Sequence, residues 1–270
     1  MADQHNIADL VYLMQRLRDP DSGCPWDLKQ DFASIVPHTL EEAYEVADTI
    51  ERKDWPHLED ELGDLLFQVI FYAQLGAESQ QFNLDSIVHN LVEKLVRRHP
   101  HVFPAGTLRS ERAGDSISEA EISANWDAIK QQERDTKARG AVLDDVPRAL
   151  PALSRAQKLQ KRASQVGFDW NDPLPVLDKI AEELDELRDA IKQGNADEIR
   201  DEMGDMLFAQ VNLARHLGVN PETALRGTNQ KFERRFGYVE AQVNASGRDW
   251  SEFTLAELDR FWDDAKQQGL

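Results

Sequence analysis

A single cysteine, Cys24, among 270 residues has no partner for an internal disulfide, so a reducing compartment, the cytoplasm, is the expected setting. No apolar run approaches the roughly 18 residues that a membrane span requires. The opening MADQHNIADL lacks the basic-then-apolar layout of a signal peptide. Positive charge is also scarce. Lys and Arg number 31 against 50 Asp and Glu, a formal net charge of −19, so no broad electrostatic grip on nucleic acid is expected. The G-x-x-x-x-G-K-[ST] loop and the G-x-S-x-G elbow are both missing, which excludes a P-loop NTPase and a serine hydrolase of that type. With one cysteine and no H-E-x-x-H helix, the His99/His101 pair does not make a zinc site. The Glu-x-x-His pairs of a di-iron carboxylate bundle are absent as well.

What is abundant is acid, and it is written twice. EEAYEVADTIERKDWPHLEDELGDLLFQ, from Glu41, returns 141 positions later as EELDELRDAIKQGNADEIRDEMGDMLFAQ, from Glu182. Laying Glu42 on Glu183 also lays Glu45 on Glu186, Glu61 on Glu202, Gly63 on Gly204 and Asp64 on Asp205 without a gap. EKLVRRHPHV then echoes in QKFERRFGYV, and NWDAIKQQ in FWDDAKQQ. Each half also carries a Trp-bearing loop, CPWD with Trp26 and GFDW with Trp170. A repeat on this scale predicts two homologous domains, 1–135 and 136–270, each large enough for its own core. A polar stretch after Phe103 reads as a long loop particular to the first half.

The periodicity is helical. Ala43, Val46, Ala47 and Ile50 share one helix face, as do Leu62, Leu65, Leu66, Val69 and Ala73 after a break at Asp54-Trp55-Pro56. Ile180, Leu184, Leu187 and Ile191, then Met203, Met206, Leu207 and Ala214, repeat the pattern. Short connections such as KQGNA make the two acid-bearing helices antiparallel neighbours, and strand-like alternation is scarce. The expected fold class is all-α, as tandem duplicated helical bundles packed by these stripes.

Glu42 and Glu45 stand three apart beside an apolar stripe, and Glu61 and Asp64 bear the same relation on the next helix. Packing the stripes together would bring four carboxylates to one seam, where mutual repulsion is relieved by protons or by a cation. Oxygen-only ligation suits Mg²⁺, with Mn²⁺ as a substitute. An isolated E-E-x-x-E is an ordinary solvated helix face. Here residue type, register and the sixteen-residue step from Glu45 to Glu61 are all kept from Glu186 to Glu202. Gly63 and Gly204 each interrupt a helix at a cost of about 1 kcal/mol relative to Ala, which predicts a close approach at that point.

These motifs together, E-E-x-x-E then E-x-x-D, K-x-x-R-R and a late W-x-x-x-K, resemble the MazG family of the all-α NTP pyrophosphatase superfamily over nearly the whole chain. The resemblance implies Mg²⁺-dependent hydrolysis of nucleoside triphosphates between the α and β phosphates, commonly by a homodimer. It assigns metal ligation to Glu42, Glu45, Glu61 and Asp64 in the first half and to Glu183, Glu186, Glu202 and Asp205 in the second. Glu41 and Glu182 are candidates to orient or deprotonate the attacking water, or are exposed surface acids.

Lys94, Arg97 and Arg98, with Lys231, Arg234 and Arg235, are the candidate phosphate clamps, since guanidinium matches phosphate geometry. Trp126 and Trp262 either stack a base or fill the core, with Lys130 and Lys266 one turn on. Lys179 and Arg200 add positive charge in the second half where the first has His38 and Glu59. The C-terminal half is therefore expected to be the more active. The alternatives are a narrower pyrophosphatase for damaged or deoxyuridine nucleotides, and a non-catalytic nucleotide-sensing or interaction protein.

Overall fold

Capping residues start most of the helices. Asn6, Asp31 and Asn83 each accept a backbone N–H one turn ahead while the residue at that point bonds back, opening α1 (Ile7–Leu17), α2 (Phe32–Arg52) and α4 (Leu84–Arg98). Between α2 and α4 runs α3 (Trp55–Glu78), which places Pro56 in its first turn, where the missing N–H removes no bond. The computed structural model describes residues 4–111, 118, 121–122, 125–126, 129 and 141–270. Among them the secondary structure is helical and there is no strand. The expected boundary between 135 and 136, and most of the polar stretch after Phe103, lie outside the described residues.

The chain divides into two units, Met1–Lys137 and Ala138–Leu270. In the first, α2 and α3 form a hairpin, and α1 packs on α3. Its core is Met14, Ile35, Ile70, Phe71 and Leu75, with Leu10, Val11, Phe32 and Phe67 packed against it. Arg18 at the end of α1 closes this unit. It donates to both Glu78 carboxylate oxygens, the shorter contact being 2.7 Å, and to the carbonyls of Asp27 and Gln30 in the loop after CPW.

In the second unit α6 (Leu174–Gln193) and α7 (Ala196–His216) form the equivalent hairpin. It is braced by α5 (Ala152–Gln165) and α8 (Pro221–Ser246), while α9 (Leu255–Gln267) packs on α8. Buried Gln160 donates to the Phe208 carbonyl at 2.8 Å, tying α5 to α7. Asp169, in the loop before α6, accepts from Arg215 at 2.5 Å and lies 3.1 Å from His216.

Only part of the expected stripes reaches a core. Ala73 and Leu187 are buried, but Leu62, Leu66 and Val69 are 49, 42 and 39% exposed, and Ile50, Leu184, Ile191, Met203 and Leu207 are also exposed. The bracing helices α1 and α4 pack on α3, and α5 and α8 on α7, and these residues form a second apolar side of the hairpins that such packing leaves exposed. The close approach expected at Gly63 and Gly204 is not found either, since a Cβ built at either position meets nothing within 4 Å. Glycines that do require it are Gly23, where a Cβ would stand 2.4 Å from the Leu17 carbonyl oxygen, and Gly76, where it would stand 2.4 Å from the Phe82 ring.

Candidate metal centre

Both hairpins turn through two residues, Lys53-Asp54 and Gly194-Asn195. Glu45 stands eight residues before the first turn and Glu61 seven after it; Glu186 and Glu202 repeat those offsets in the second. At 1.5 Å rise per residue both acids of a pair sit about 11 to 12 Å from the turn, level with each other across the seam. Glu42 and Glu183 lie one turn further along, on the same face. One carboxylate oxygen each from Glu42, Glu45 and Glu61 lies within 4.8 Å of the others, and Glu183, Glu186 and Glu202 repeat the arrangement.

Asp64 and Asp205 lie outside these triads, on exposed positions one turn beyond Glu61 and Glu202. Asp64 is level with Glu42 and is felt there. Partial burial, then the charge of Asp64, then Glu45 push the Glu42 carboxyl above its usual range. Glu61 is raised by desolvation, then by Glu45 and Asp64. Glu202 is raised by desolvation, then by Glu186, Glu183 and Asp205. Mutual repulsion of this kind is what a divalent cation relieves, and carboxylate oxygen is the donor chemistry that Mg²⁺ and Mn²⁺ take. In the second unit Glu183 is 5% exposed, and its Oε2 is buried without a hydrogen-bond partner. An orphaned buried oxygen on an acid that belongs to a carboxylate triad fits a cation.

Lys179 is a basic residue that the structure places against a triad. Its Nζ lies 2.8 Å from Glu183 Oε1 and 2.9 Å from Glu182 Oε1. Sequence reasoning set this lysine aside for phosphate and missed the direct contact, although the i, i+4 spacing of Lys179 and Glu183 was a signal for it. In the first unit His38 Nδ1 lies 3.7 Å from Glu41 Oε2. Arg200 is engaged at 3.0 Å by Asp197, in the first turn of α7. Helical spacing of three favours that local pair over a reach along the seam.

The remaining candidates lie on α4, α8 and α9. Arg97 and Arg98 fill the last turn of α4, with half-buried Lys94 one turn earlier. Lys231 and Arg234 are exposed on α8. Arg235 is held differently, with Nε donating to the Leu270 carbonyl at 2.7 Å and the guanidinium over the Trp262 ring. Trp262 packs against Phe232 at 5.3 Å between ring centroids, and Trp126 against His99 at 5.6 Å. Lys266 pairs with Asp263 at 2.9 Å. Lys130 lies outside the described residues.

Comparison with known proteins agrees with this geometry. A model of the MazG nucleotide pyrophosphohydrolase domain matches residues 30–103 and again 172–239, spans that contain both triads. A nucleoside triphosphate pyrophosphohydrolase of Escherichia coli K12 is 50% identical over 268 residues, covering 98% of this chain and 99% of that protein. A nucleoside triphosphate pyrophosphohydrolase/pyrophosphatase MazG of Thermotoga maritima is 41% identical over 258 residues, covering 96% and 94%. With two domain matches centred on two carboxylate triads, and full-length relatives at such identity, the chain belongs to the MazG nucleotide pyrophosphohydrolase family.

Proposed function

We propose that this chain hydrolyses nucleoside triphosphates between the α and β phosphates, releasing a nucleoside monophosphate and pyrophosphate, with Mg²⁺ held in both units. The observation that carries the proposal is the repeated triad, in which desolvation and then neighbouring acids hold Glu42, Glu61 and Glu202 above the usual carboxylate range and Glu183 keeps one buried oxygen unpartnered. Glu42, Glu45 and Glu61, with Asp64 beside them, would hold the ion in the first unit; Glu183, Glu186 and Glu202, with Asp205, would hold it in the second. When bound, the ion supplies positive charge to the polyphosphate and makes water more acidic.

Each residue then has a definable task. Glu41 and Glu182 stand next to the triads in sequence and are the candidates to receive a proton from water. Lys231, Arg234, Arg97 and Arg98 are the candidates to hold phosphate oxygens, where fixed positive charge favours the departing pyrophosphate. Trp262 and Lys266, like Trp126, are the candidates to meet the nucleoside. Incubating the protein with a nucleoside triphosphate and Mg²⁺ and identifying the product tests the proposal. Pyrophosphate is expected; orthophosphate alone, or no product, would refute it.

Homodimerisation is part of this proposal. Leu62, Leu66 and Val69 form an exposed i, i+4, i+7 row on α3, with Val36, Leu40 and Tyr44 exposed on α2. Apolar rows of this extent on a hairpin are what a second copy covers, and the open space at Gly63 suits a closely approaching helix. The single cysteine and the absence, among the described residues, of a helix long and apolar enough to cross a membrane support a place in the cytoplasm.

A further inference from the structure

The two triads are alike in their acids and differ in their nearest cation. In the second unit the Lys179 ammonium holds Oε1 of Glu183, the most buried acid of the six, while Oε2 of the same carboxylate is buried and unpartnered. The corresponding position in the first unit is His38. Its ring rests edge-on against Trp26 at 5.9 Å and its Nδ1 is nearer Glu41 than a ligand of the triad. Among the described residues the first triad therefore has no equivalent ammonium on its half-buried acid, Glu42.

We propose that Lys179 is a resident counter-cation of the second triad, which a divalent ion must displace from Glu183, so that the two units bind the same ion with unequal affinity. The inference rests on the assignment of the triads as metal sites. An ion ligated by the unpartnered Oε2 would share its carboxylate with an ammonium 2.8 Å from Oε1, and two cations on one carboxylate repel. Binding of an ion thus requires Lys179 to swing away on its flexible four-carbon stem. The energy of the broken pair is subtracted from the ion's affinity in the second unit only. Once displaced, the ammonium is available to an anion, so ion and polyphosphate should reinforce each other more in the second unit than in the first.

The test is a Mn²⁺ titration of the full-length protein without nucleotide, reading unbound Mn²⁺ by electron paramagnetic resonance. Two classes of site are expected. The Glu183→Gln/Glu186→Gln double variant should delete the weaker class, assigning it to the second unit. Lys179→Met and Lys179→Gln should each tighten that class on the order of tenfold, the change that about 1.4 kcal/mol produces. His38→Lys should weaken the tighter class. Circular dichroism establishes that each variant is folded. Unchanged affinities in both Lys179 variants, or assignment of the weaker class to the first unit, would overturn the inference while leaving the metal sites standing. Absence of Mn²⁺ binding in the parent protein would overturn both.

Discussion

Glu202 shows at the scale of one residue what the triads cost and what they are for. Its carboxyl is held above the usual range by desolvation, then by Glu186, Glu183 and Asp205. Glu42 and Glu61 are raised in the same way. A raised carboxyl favours the folded state while protonated, and that contribution is lost as pH rises through the folded-state value. In chelator, a Glu42→Gln/Glu61→Gln/Glu202→Gln variant should therefore gain thermal stability relative to the parent as pH rises above about 5, the upper end of the ordinary carboxylate range. Melting curves between pH 4 and 8 check this, and Mg²⁺ should stabilise the parent but not the variant. Glu257 behaves oppositely. It is lowered to about 2 by the Thr254 backbone and hydroxyl and by Arg248, so its contribution is lost progressively as pH falls from the ordinary carboxylate range through about 2. For activity, Glu202→Gln placed in a Glu45→Gln background should reduce pyrophosphate release by at least about a hundredfold, with the helical circular dichroism spectrum unchanged.

At the scale of elements, the two hairpins solve one turn with different residues. Gly194 ends α6 at φ 70°, where a residue without Cβ is at ease, whereas Lys53 ends α2 at φ 58° with a full side chain. Gly194→Ala should destabilise the protein by about 1 kcal/mol, and Lys53→Gly should stabilise it by several tenths to about 1 kcal/mol. Chemical denaturation measures both. Much of this level was legible in the chain: the break near Asp54, the short KQGNA connection and the equal offsets of Glu45 and Glu61 from the turn are sequence facts. The contact of Lys179 with Glu183 was legible in principle from its spacing. By contrast, the engagement of Arg235 by the Leu270 carbonyl links residues 35 apart, and no local pattern reports such a bond.

At the scale of the whole molecule, the exposed apolar row of Leu62, Leu66 and Val69 decides the expected assembly. Leu66→Glu would place a charge in the covered face of a dimer, and light scattering should then find a smaller species than the parent forms. The duplication raises a second question at this scale, namely which unit turns over faster. Glu186→Gln in the full chain should lower pyrophosphate release more than Glu45→Gln, because Lys179 provides the second triad with an ammonium that His38 does not provide to the first. The reverse order would show the first unit to be the more active.

The sequence by itself determined the helical class, the duplication and the level at which the acids meet, because a 3.6-residue period and a two-residue turn convert spacing directly into height along a hairpin. It also contained the family, through motifs that two matched segments carry. Which apolar stripe is buried was decided only by tertiary structure. Helices apolar on two sides have two candidate cores, and only the placement of α1 against α3 and of α5 against α7 selected between them. Tertiary structure also separated the acids: Glu183 is buried with Lys179 on its Oε1 while Asp205 stays exposed, a distinction between residues that the linear pattern treats alike.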